Sequence, residues 1–300
     1  MRPEFLKAGD TIGIVAPARH ISSEELIPTI NFLQRHQFYV QLGNHLFSKY
    51  NQFAGTDKER AFDFQQMLDN PNINAILCAR GGYGSVQIID KLDFSKFVKN
   101  PKWICGYSDI TVFHSHLHRN FQISSIHCLM PVNIIRPDES KQGVSTFLQA
   151  ITGEKLSYRT PHNQFNRQGE ASGTIVGGNI SVLYALLSSP SDIDTKGKIL
   201  FIEDLDEYLY HIDRMMISLK RAGKLDHLSG LIVGGLSDMH DNTIPFGKTA
   251  EEIIAEHCQE FNFPIVFNFP AGHINPNSAL RLGETINIQV TQNQGAEIIF

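Results

Sequence analysis

Short apolar runs alternate with amphipathic segments throughout the first half of the chain. Runs rich in β-branched and aromatic residues predict strands at residues 11–16, 38–42, 73–79, 103–107 and 123–129. Periodic apolar positions behind helix-capping residues predict helices at residues 22–34, 56–68, 85–92 and 109–117. Strands that alternate with helices of these lengths are typical of a mainly parallel sheet flanked by helices, so we predict an N-terminal α/β domain.

This alternation fades between residues 136 and 167, where proline, asparagine and glutamine replace the apolar runs. Only a short helix near 144–151 is indicated there. A polar stretch between two patterned regions favours a domain boundary. We therefore predict an N-terminal domain at 1–135, a linker at 136–167 and a C-terminal domain at 168–300.

The second half mixes parallel and antiparallel signals. Predicted strands lie at residues 171–176, 199–202, 230–233, 265–269, 285–290 and 296–300. Predicted helices lie at residues 180–187, 208–221 and 249–261. Asn293, Gln294 and Gly295 separate the last two strands and favour a hairpin. The C-terminal domain is therefore predicted to be mixed α/β, with more antiparallel pairing than the first.

Composition narrows the functional classes. The 300 residues, 42% of them hydrophobic, can form one large domain or two of ordinary size. A formal charge of −5 without a lysine- or arginine-rich stripe argues against a nucleic-acid partner. We see neither a signal-peptide pattern nor an apolar run that could span a bilayer, so we expect no membrane partner and a cytoplasmic location.

Ser108 is the first candidate for chemistry. It belongs to the sequence Gly106-Tyr107-Ser108-Asp109, which follows an apolar strand and precedes a helical pattern. A serine at such a strand-to-helix turn is lifted out of the sheet, and the N–H groups of the following helix start point toward its target. The alternative is that Ser108 only caps the helix, since serine is a favoured N-cap residue.

Three other strand ends carry polar or glycine-rich turns. Arg80-Gly81-Gly82-Tyr83-Gly84 could bring backbone N–H groups close to an anion, or could form only a tight turn. The strand ending in Glu203 and Asp204 could orient a histidine, or its acids could complement a helix dipole. His273 lies in a loop rich in glycine, proline and asparagine. Ligands bind beyond the carboxyl ends of parallel strands, so these turns could share one site.

These motifs together resemble the LD-carboxypeptidase family of serine peptidases, which includes the microcin C immunity peptidases. The segments that carry the resemblance occur in the family's order along the chain. They are residues 13–18, 80–84 and 106–111, Gly177-Gly178-Asn179, residues 203–204 with Glu207, Tyr210, Asp213 and Arg214, and Gly272-His273. Two features differ. Leu280-Arg281-Leu282-Gly283 stands where Leu-Pro-Leu-Gly is frequent, and Trp103 does not lie in a tryptophan-bearing insertion of the microcin branch.

The resemblance implies a role for each site residue. Ser108 would be the nucleophile, His273 the general base and Glu203 the residue that orients His273. The N–H groups of Gly82 and Asp109 would form the oxyanion hole. Candidate groups for recognising the substrate are Arg80, Tyr83, Asn179 and Arg214. The family fold joins an N-terminal α/β domain to a C-terminal domain with barrel-like β content, usually as a homodimer.

The activity expected from this resemblance is release of the terminal D-alanine from a murein tetrapeptide during cytoplasmic peptidoglycan recycling. The reaction would cleave an L-to-D peptide bond through an acyl-enzyme, with no metal or organic cofactor. The nearest alternative is hydrolysis of an aminoacyl-nucleotide mimic, as in microcin immunity. A non-catalytic binding module on the same scaffold is a further alternative.

A metal-dependent hydrolase is the remaining alternative. His114 and His118 stand at i and i+4 on one helix face, and Asp238 and His240 could add ligands. Because no glutamate follows His114 as in HExxH, we interpret this pair as surface histidines or as residues supporting the site. The cysteines are widely spaced and are predicted to be buried reduced thiols: Cys78, Cys105, Cys128 and Cys258.

Overall fold

The computed structural model describes residues 1–134 and 141–300, which form a mixed α/β fold built on two sheets. The strands are β1 Thr11–Val15, β2 Tyr39–Leu42, β3 Ala75–Cys78, β4 Trp103–Gly106, β5 Ser125–His127, β6 Ser157–Thr160, β7 Gly169–Asn179, β8 Ile199–Leu205, β9 Gly230–Ser237, β10 Ile265–Val266, β11 Leu280–Leu282, β12 Thr285–Thr291 and β13 Gly295–Ile299. The helices are α1 Ser23–Arg35, α2 Asp57–Asp69, α3 Ser85–Ile88, α4 Ser95–Lys99, α5 Thr111–Phe121, α6 Pro131–Ile134, α7 Lys141–Thr152, α8 Ile180–Ala185, α9 Leu209–Arg221 and α10 Ala250–His257. Short 3-10 turns occupy Ile89–Lys91 and Ser108–Ile110.

The first sheet has the strand order β11-β5-β4-β3-β1-β2. Strands β2, β1, β3, β4 and β5 pair in parallel, which confirms the predicted parallel sheet. Every residue of the central strands β3 and β4 is buried, as expected for a strand covered on both faces. The helices begin where the sequence predicts: capping boxes join Ser22 to Glu25 before α1 and Thr56 to Glu59 before α2.

The second sheet has the strand order β10-β9-β8-β7-β12-β13-β6. Strands β7 to β10 pair in parallel, whereas β7, β12, β13 and β6 pair antiparallel. The predicted hairpin joins β12 to β13, and Asn293 and Gly295 adopt the positive φ values that its turn needs. Within the described ranges the sheet has two ends and forms no closed barrel, although Arg167 makes an isolated bridge to Ile265 of β10.

One buried hydrophobic cluster joins the two sheets. It contains Ile14 and Leu77 of the first sheet together with Phe201 and Ile232 of the second. Helix α7 also contributes to it, through Phe147 among others. The chain then returns from the second sheet to the first, where β11 pairs antiparallel with β5. The sheets are therefore packed so that the ends of β4 and β8 can serve one site.

The domain boundaries predicted from the sequence stay a prediction. The proposed linker contains α7 and β6, and part of it, with residue 135 of the proposed first domain, falls at 135–140, outside the described residues. The four cysteines are free and buried, as predicted. No helix within the described parts of the chain is long and apolar enough to cross a membrane.

Candidate active site

Ser108 lies in a tight turn between β4 and α5, at the carboxyl end of a central parallel strand. Its φ of +65° falls in the left-handed region, which residues other than glycine rarely adopt. Gly106 makes the turn possible, because a Cβ there would lie 2.9 Å from Ile110. Tyr107, not Ser108, occupies the N-cap position of the turn. Backbone strain of this kind is concentrated at functional sites, so the turn favours a reactive role over a capping one.

Ser108 faces a cavity of about 660 Å³ that also receives residues from the second sheet. Most of the site residues predicted from the sequence line this cavity: Arg80, Gly82, Ser108, Asp109, Asn179 and His273. Further polar residues line it as well: Arg19, Asn133, Ser181, Asp204, Asp206, Glu207, Asp238 and Asn277. The cavity is therefore strongly polar and combines cationic and anionic groups.

Glu203 and His273 form a hydrogen-bonded pair beside the cavity. Glu203, in β8, is fully buried, and its Oε2 accepts hydrogen bonds from His273 Nδ1 at 2.7 Å and from the His273 N–H at 3.2 Å. A Cβ at Gly272 would lie 2.7 Å from Glu203 Oε2, so glycine allows this close approach. A carboxylate only accepts hydrogen bonds, so Nδ1 carries the proton and Nε2 is the basic nitrogen. The His273 ring lies 4.7 Å from that of Tyr107, which precedes Ser108.

The electrostatics of this pair favour the charged state of both partners. Burial is the largest influence on Glu203 and opposes its ionisation, but the charge and hydrogen bond of His273 and the proximity of His127 lower the pKa of Glu203. Burial likewise opposes protonation of His273. The charge and hydrogen bond of Glu203, with the charge of Asp204, nevertheless raise the pKa of His273 above its ordinary value.

Asp204 points away from its neighbour Glu203, as alternation along a strand requires. Its Oδ1 accepts from Asn179 Nδ2 at 2.9 Å, and its Oδ2 accepts from the Ser181 N–H at 3.0 Å, at the start of α8. Burial, assisted by the charge of Glu203, raises the pKa of Asp204 to about 7. The two acids thus have different partners: Glu203 accepts hydrogen bonds from His273, and Asp204 accepts one from a helix start. The role of Glu203 in orienting His273 stays a prediction.

The glycine-rich loop after β3 lies directly against the turn that contains Ser108. A Cβ on Gly81 would be 3.0 Å from Ser108 Cβ and 3.2 Å from Ser108 Oγ. Gly82 has a φ of +106°, a conformation that favours glycine. The loop that carries the Gly82 N–H is therefore beside Ser108. The assignment of the Gly82 and Asp109 N–H groups to an oxyanion hole stays a prediction.

Two buried side chains hold this loop in place. The Asp109 carboxylate accepts a hydrogen bond from the Ser85 N–H at 2.8 Å, and burial raises the pKa of Asp109. The Arg60 guanidinium donates to the carbonyls of Pro17 and Gly84, at 2.6 and 2.9 Å. Asp109, the residue after Ser108, therefore links the Ser108 turn to the loop through its side chain.

The residues predicted to bind substrate fall into two groups. Arg80 and Asn179 line the cavity, and Arg80 also pairs with Glu25 at 3.5 Å. Tyr83 and Arg214 are not among the lining residues of the described chain. Tyr83 is exposed beside the ring of Phe53, and the Arg214 guanidinium lies 5.2 Å from the ring centre of Tyr210.

Several lining residues are not assigned to the site from the sequence, although Glu207 helps to carry the family resemblance and Asp238 is considered as a metal ligand. Arg19 follows β1, Asp206 and Glu207 follow β8, and Asp238 follows β9. All of them stand just beyond the carboxyl ends of parallel strands, where ligand-binding residues are expected. Applying that rule to every parallel strand, instead of only to the glycine-rich turns, would have found them.

The histidine pair of α5 is buried, which corrects its interpretation as a surface feature. His114 Nδ1 lies 2.7 Å from Ser125 Oγ and His114 Nε2 lies 2.9 Å from the Gly106 carbonyl, so both ring nitrogens are engaged inside the fold. His118 is buried as well. Among the described residues there is no group of three or more His, Cys, Asp or Glu that could hold a metal ion. His114 thus supports the strand that leads to Ser108.

This combination of fold, nucleophile turn and histidine–carboxylate pair is characteristic of a serine peptidase, and comparison with known proteins identifies the class. Residues 12–128 match the N-terminal domain of the LD-carboxypeptidase family, and residues 172–288 match its C-terminal domain. The chain belongs to the LD-carboxypeptidase family of serine peptidases and is an enzyme of that family. The resemblance seen in the sequence is thereby confirmed.

Individual relatives agree with this assignment. A probable murein peptide carboxypeptidase of Bacillus subtilis is 34% identical over 289 residues, covering 94% of this chain and 89% of the relative. The microcin C7 self-immunity protein MccF of Escherichia coli is 26% identical, covering 94% of this chain and 91% of that protein. The crystal structure of muramoyltetrapeptide carboxypeptidase from Oxalobacter formigenes superposes with a TM-score of 0.88 at 25% identity, covering 96% and 98% of the two chains.

Proposed function

We propose that this protein is a serine LD-carboxypeptidase in which Ser108 is the nucleophile, His273 the general base and Glu203 the residue that orients His273. One observation carries the proposal. The strained Ser108 turn of the first sheet and the His273 ring, held by Glu203 of the second sheet, line the same cavity. A nucleophile, a base and an orienting carboxylate are the parts that serine peptidases share across unrelated folds.

In the acylation step, Ser108 Oγ attacks the carbonyl carbon of the bond before the terminal D-residue. His273 Nε2 takes the hydroxyl proton, and Glu203 stabilises the imidazolium that results. Negative charge develops on the carbonyl oxygen, where the N–H groups of Gly82 and Asp109 would donate hydrogen bonds. His273 then delivers the proton to the leaving amine, so the D-amino acid departs and an ester on Ser108 remains.

In the second step, a water molecule gives a proton to His273 and attacks the ester carbon. The proton returns to Ser108 Oγ as the acyl group leaves, which restores the starting enzyme. The chemistry uses no redox or group-transfer partner other than water. Each oxyanion donor typically contributes on the order of a hundred- to a thousandfold in rate.

The substrate that fits best is a murein tetrapeptide ending in D-alanine. Relatives named murein peptide and muramoyltetrapeptide carboxypeptidase support this class. The cavity offers Arg19 and Arg80, from the first-sheet side, to a terminal carboxylate. We place the reaction in cytoplasmic peptidoglycan recycling and expect a homodimer, as the family resemblance implies.

Hydrolysis of a microcin-like aminoacyl-nucleotide mimic is the second candidate, because MccF is similar along nearly its whole length. Trp103 does not serve that alternative. It is fully buried in β4, and its indole N–H donates to the Glu4 carbonyl. The aromatic group that would stack on a nucleobase would have to be a different residue.

Mass spectrometry of purified protein with L-Ala-γ-D-Glu-meso-diaminopimelate-D-Ala tests the proposal. We expect loss of one D-alanine, a residual rate at least 10³-fold lower in Ser108→Ala, and no effect of EDTA. An aminoacyl sulfamoyl adenosine is the second substrate in the same assay. If only this compound is cleaved, the proposed substrate class changes from murein tetrapeptides to microcin-like compounds. If the Ser108→Ala variant is as active as the unmodified enzyme, the assignment of Ser108 as the nucleophile is wrong.

A further inference from the structure

Polar atoms without partners surround the carboxylate that holds His273. Glu203 Oε1, both ring nitrogens of His127 and Asn277 Nδ2 are buried and have no hydrogen-bond partner of normal geometry among the residues that the structure describes. The three side chains are at most 2% exposed. Buried polar groups are almost always hydrogen-bonded in native proteins, so several such atoms in one place require an explanation.

His127 lies directly behind the proposed catalytic residues. It ends β5, where it pairs in register with Gly106 of the strand that leads to Ser108. Its ring centre is 5.8 Å from that of Tyr107 and 5.0 Å from that of Phe201, which is two residues before Glu203 in β8. His127 therefore fills the interface between the nucleophile turn and the strand that carries the acid.

Asn277 approaches His127 from the His273 loop. Its Oδ1 accepts a hydrogen bond from the Gly272 N–H at 2.9 Å, which fixes the backbone next to His273 and leaves Nδ2 to donate elsewhere. The nearby Asn179 amide also approaches Glu203 and helps to lower the pKa of that carboxylate. Its Nδ2 donates to Asp204 at 2.9 Å, however, and it makes no hydrogen bond of normal geometry to Glu203 Oε1.

The hydrogen-bonding needs of these atoms are complementary. Glu203 Oε1 needs a donor and Asn277 Nδ2 needs an acceptor, and a neutral imidazole supplies one of each. Burial keeps the ring neutral: it lowers the pKa of His127 to about 4, against the raising effect of the Glu203 charge. The Asn277 amide lies within hydrogen-bonding range of the ring. The other titratable groups that face the ring, among the described residues, are His273, His114 and Tyr107.

We propose that His127 is a positioning residue that donates a hydrogen bond to Glu203 Oε1 and accepts one from Asn277 Nδ2, directly or through one bridging water. The inference rests on the proposed function, since His127 would act on the reaction only through Glu203 and His273. With Oε2 held by His273 and Oε1 held by His127, the carboxylate has one orientation. The hydrogen bonds of His127 would thereby fix the positions of Glu203 and the His273 loop relative to the Ser108 turn.

Kinetics of His127→Phe and His127→Gln, in the full chain, test the effect on the reaction. Phenylalanine keeps a planar ring but cannot donate, so we expect kcat to fall at least tenfold with KM within twofold. The acid limb of kcat/KM should move to higher pH, because the positive end of the N–H dipole near the imidazolium is lost. Glutamine offers both a donor and an acceptor and should recover kcat to within about threefold of the unmodified enzyme.

If His127 had a purely structural role, His127→Phe and His127→Gln would not differ in this way in kcat and in the pH of the acid limb. Equal loss of kcat in both variants with an unshifted acid limb would overturn the proposal, as would an unchanged kcat in His127→Phe. Melting temperatures of both variants are measured alongside, so that a folding defect is recognised directly.

Nuclear magnetic resonance of the full chain, labelled with ¹⁵N in the histidine rings, gives a readout that does not depend on activity. The His127 signals are assigned by their absence in His127→Gln. We expect one neutral tautomer from pH 5 to 9, with a ring N–H resonance that shifts in Glu203→Gln. Titration of His127 near its ordinary pKa, or no shift in Glu203→Gln, would overturn the proposal. Failure to cleave the tetrapeptide would instead overturn only the proposed function.

Discussion

The two sides of the cavity are built by different physical means. On the first-sheet side, backbone conformation dominates: Ser108 is held at a φ of +65°, and glycines let the neighbouring loop approach its hydroxyl. On the second-sheet side, buried side chains dominate: Glu203 holds His273 at 2.7 Å and Asp204 holds Asn179 at 2.9 Å. Backbone conformation thus positions the proposed nucleophile on one side, and buried charge holds the proposed base on the other.

The two sides also differ in the charge of the residues that line the cavity. Arginines line the first-sheet side, through Arg19 and Arg80, whereas Asp206, Glu207 and Asp238 follow strands of the second sheet. His273 lies between these regions, in the loop that runs from β10 of the second sheet to β11 of the first. The site is therefore complete only when the sheets pack together. Substitutions on the two sides should affect different kinetic properties of the enzyme.

Glu203→Gln is the most damaging test of the second-sheet side. The amide removes the negative charge and can present its N–H₂ to His273, so the wrong ring nitrogen becomes basic. We expect kcat to fall by roughly 10³–10⁴ while the fold is retained. Steady-state kinetics and circular dichroism measure both effects.

The control for that variant is Glu284→Gln. Glu284 is also a shielded acid, paired with Arg281 Nε at 3.0 Å, but it does not line the cavity within the described chain. We expect its kcat to change less than twofold. A similar loss in both variants would show that removing any largely shielded carboxylate disturbs the enzyme, and would contradict the special role of Glu203.

The pH dependence of kcat/KM tests the charge of the same pair. His273 must be neutral to accept the Ser108 proton, and Glu203 raises the pKa of His273 above the ordinary value of 6.5. Activity should therefore decline tenfold per pH unit once the pH falls below a midpoint that lies above 6.5. In the residual activity of Glu203→Gln this midpoint should move to lower pH. A wild-type midpoint below 6.5 would contradict the ion pair.

The first-sheet side was the easier one to predict from the sequence. The Ser108 turn, the glycine loop and the strands before them are local patterns, and each is visible within about ten residues. Glycine and serine at a strand end indicate a tight turn from the local sequence alone. The structure accordingly places the predicted loop against the predicted turn, so close that a Cβ on Gly81 would lie 3.2 Å from Ser108 Oγ.

The second-sheet side depends on contacts that are distant in sequence. Glu203 and His273 are separated by 70 positions, and their hydrogen bond exists only because β8 and the loop after β10 meet. From the sequence pattern, Glu203 is the candidate to hold an imidazole, and the alternative is that both Glu203 and Asp204 only complement a helix dipole. The sequence pattern does not predict the short strand β11, because it has only three residues and forms where the chain returns from the second sheet to pair antiparallel with β5 of the first.

Arg19→Met and Arg214→Met compare a cationic residue of the cavity with one outside it. Arg19 lies over the Gly82 loop, close enough that its side chain would meet a Cβ on Gly82 at 2.5 Å, and it lines the cavity beside Ser108. Loss of a charge-assisted contact to the terminal carboxylate should raise KM for the tetrapeptide about tenfold, with kcat within threefold.

Arg214 is the matched cation on the second-sheet side. Its guanidinium lies over the exposed ring of Tyr210, and such surface contacts contribute only about 0.5–1 kcal/mol. Its replacement should therefore change KM less than twofold, as measured by D-alanine release over a range of tetrapeptide concentrations. The reverse result, with KM raised only in Arg214→Met, would move carboxylate recognition to the second-sheet side. The arginines on the first-sheet side of the cavity would then not be the groups that bind the terminal carboxylate of the substrate.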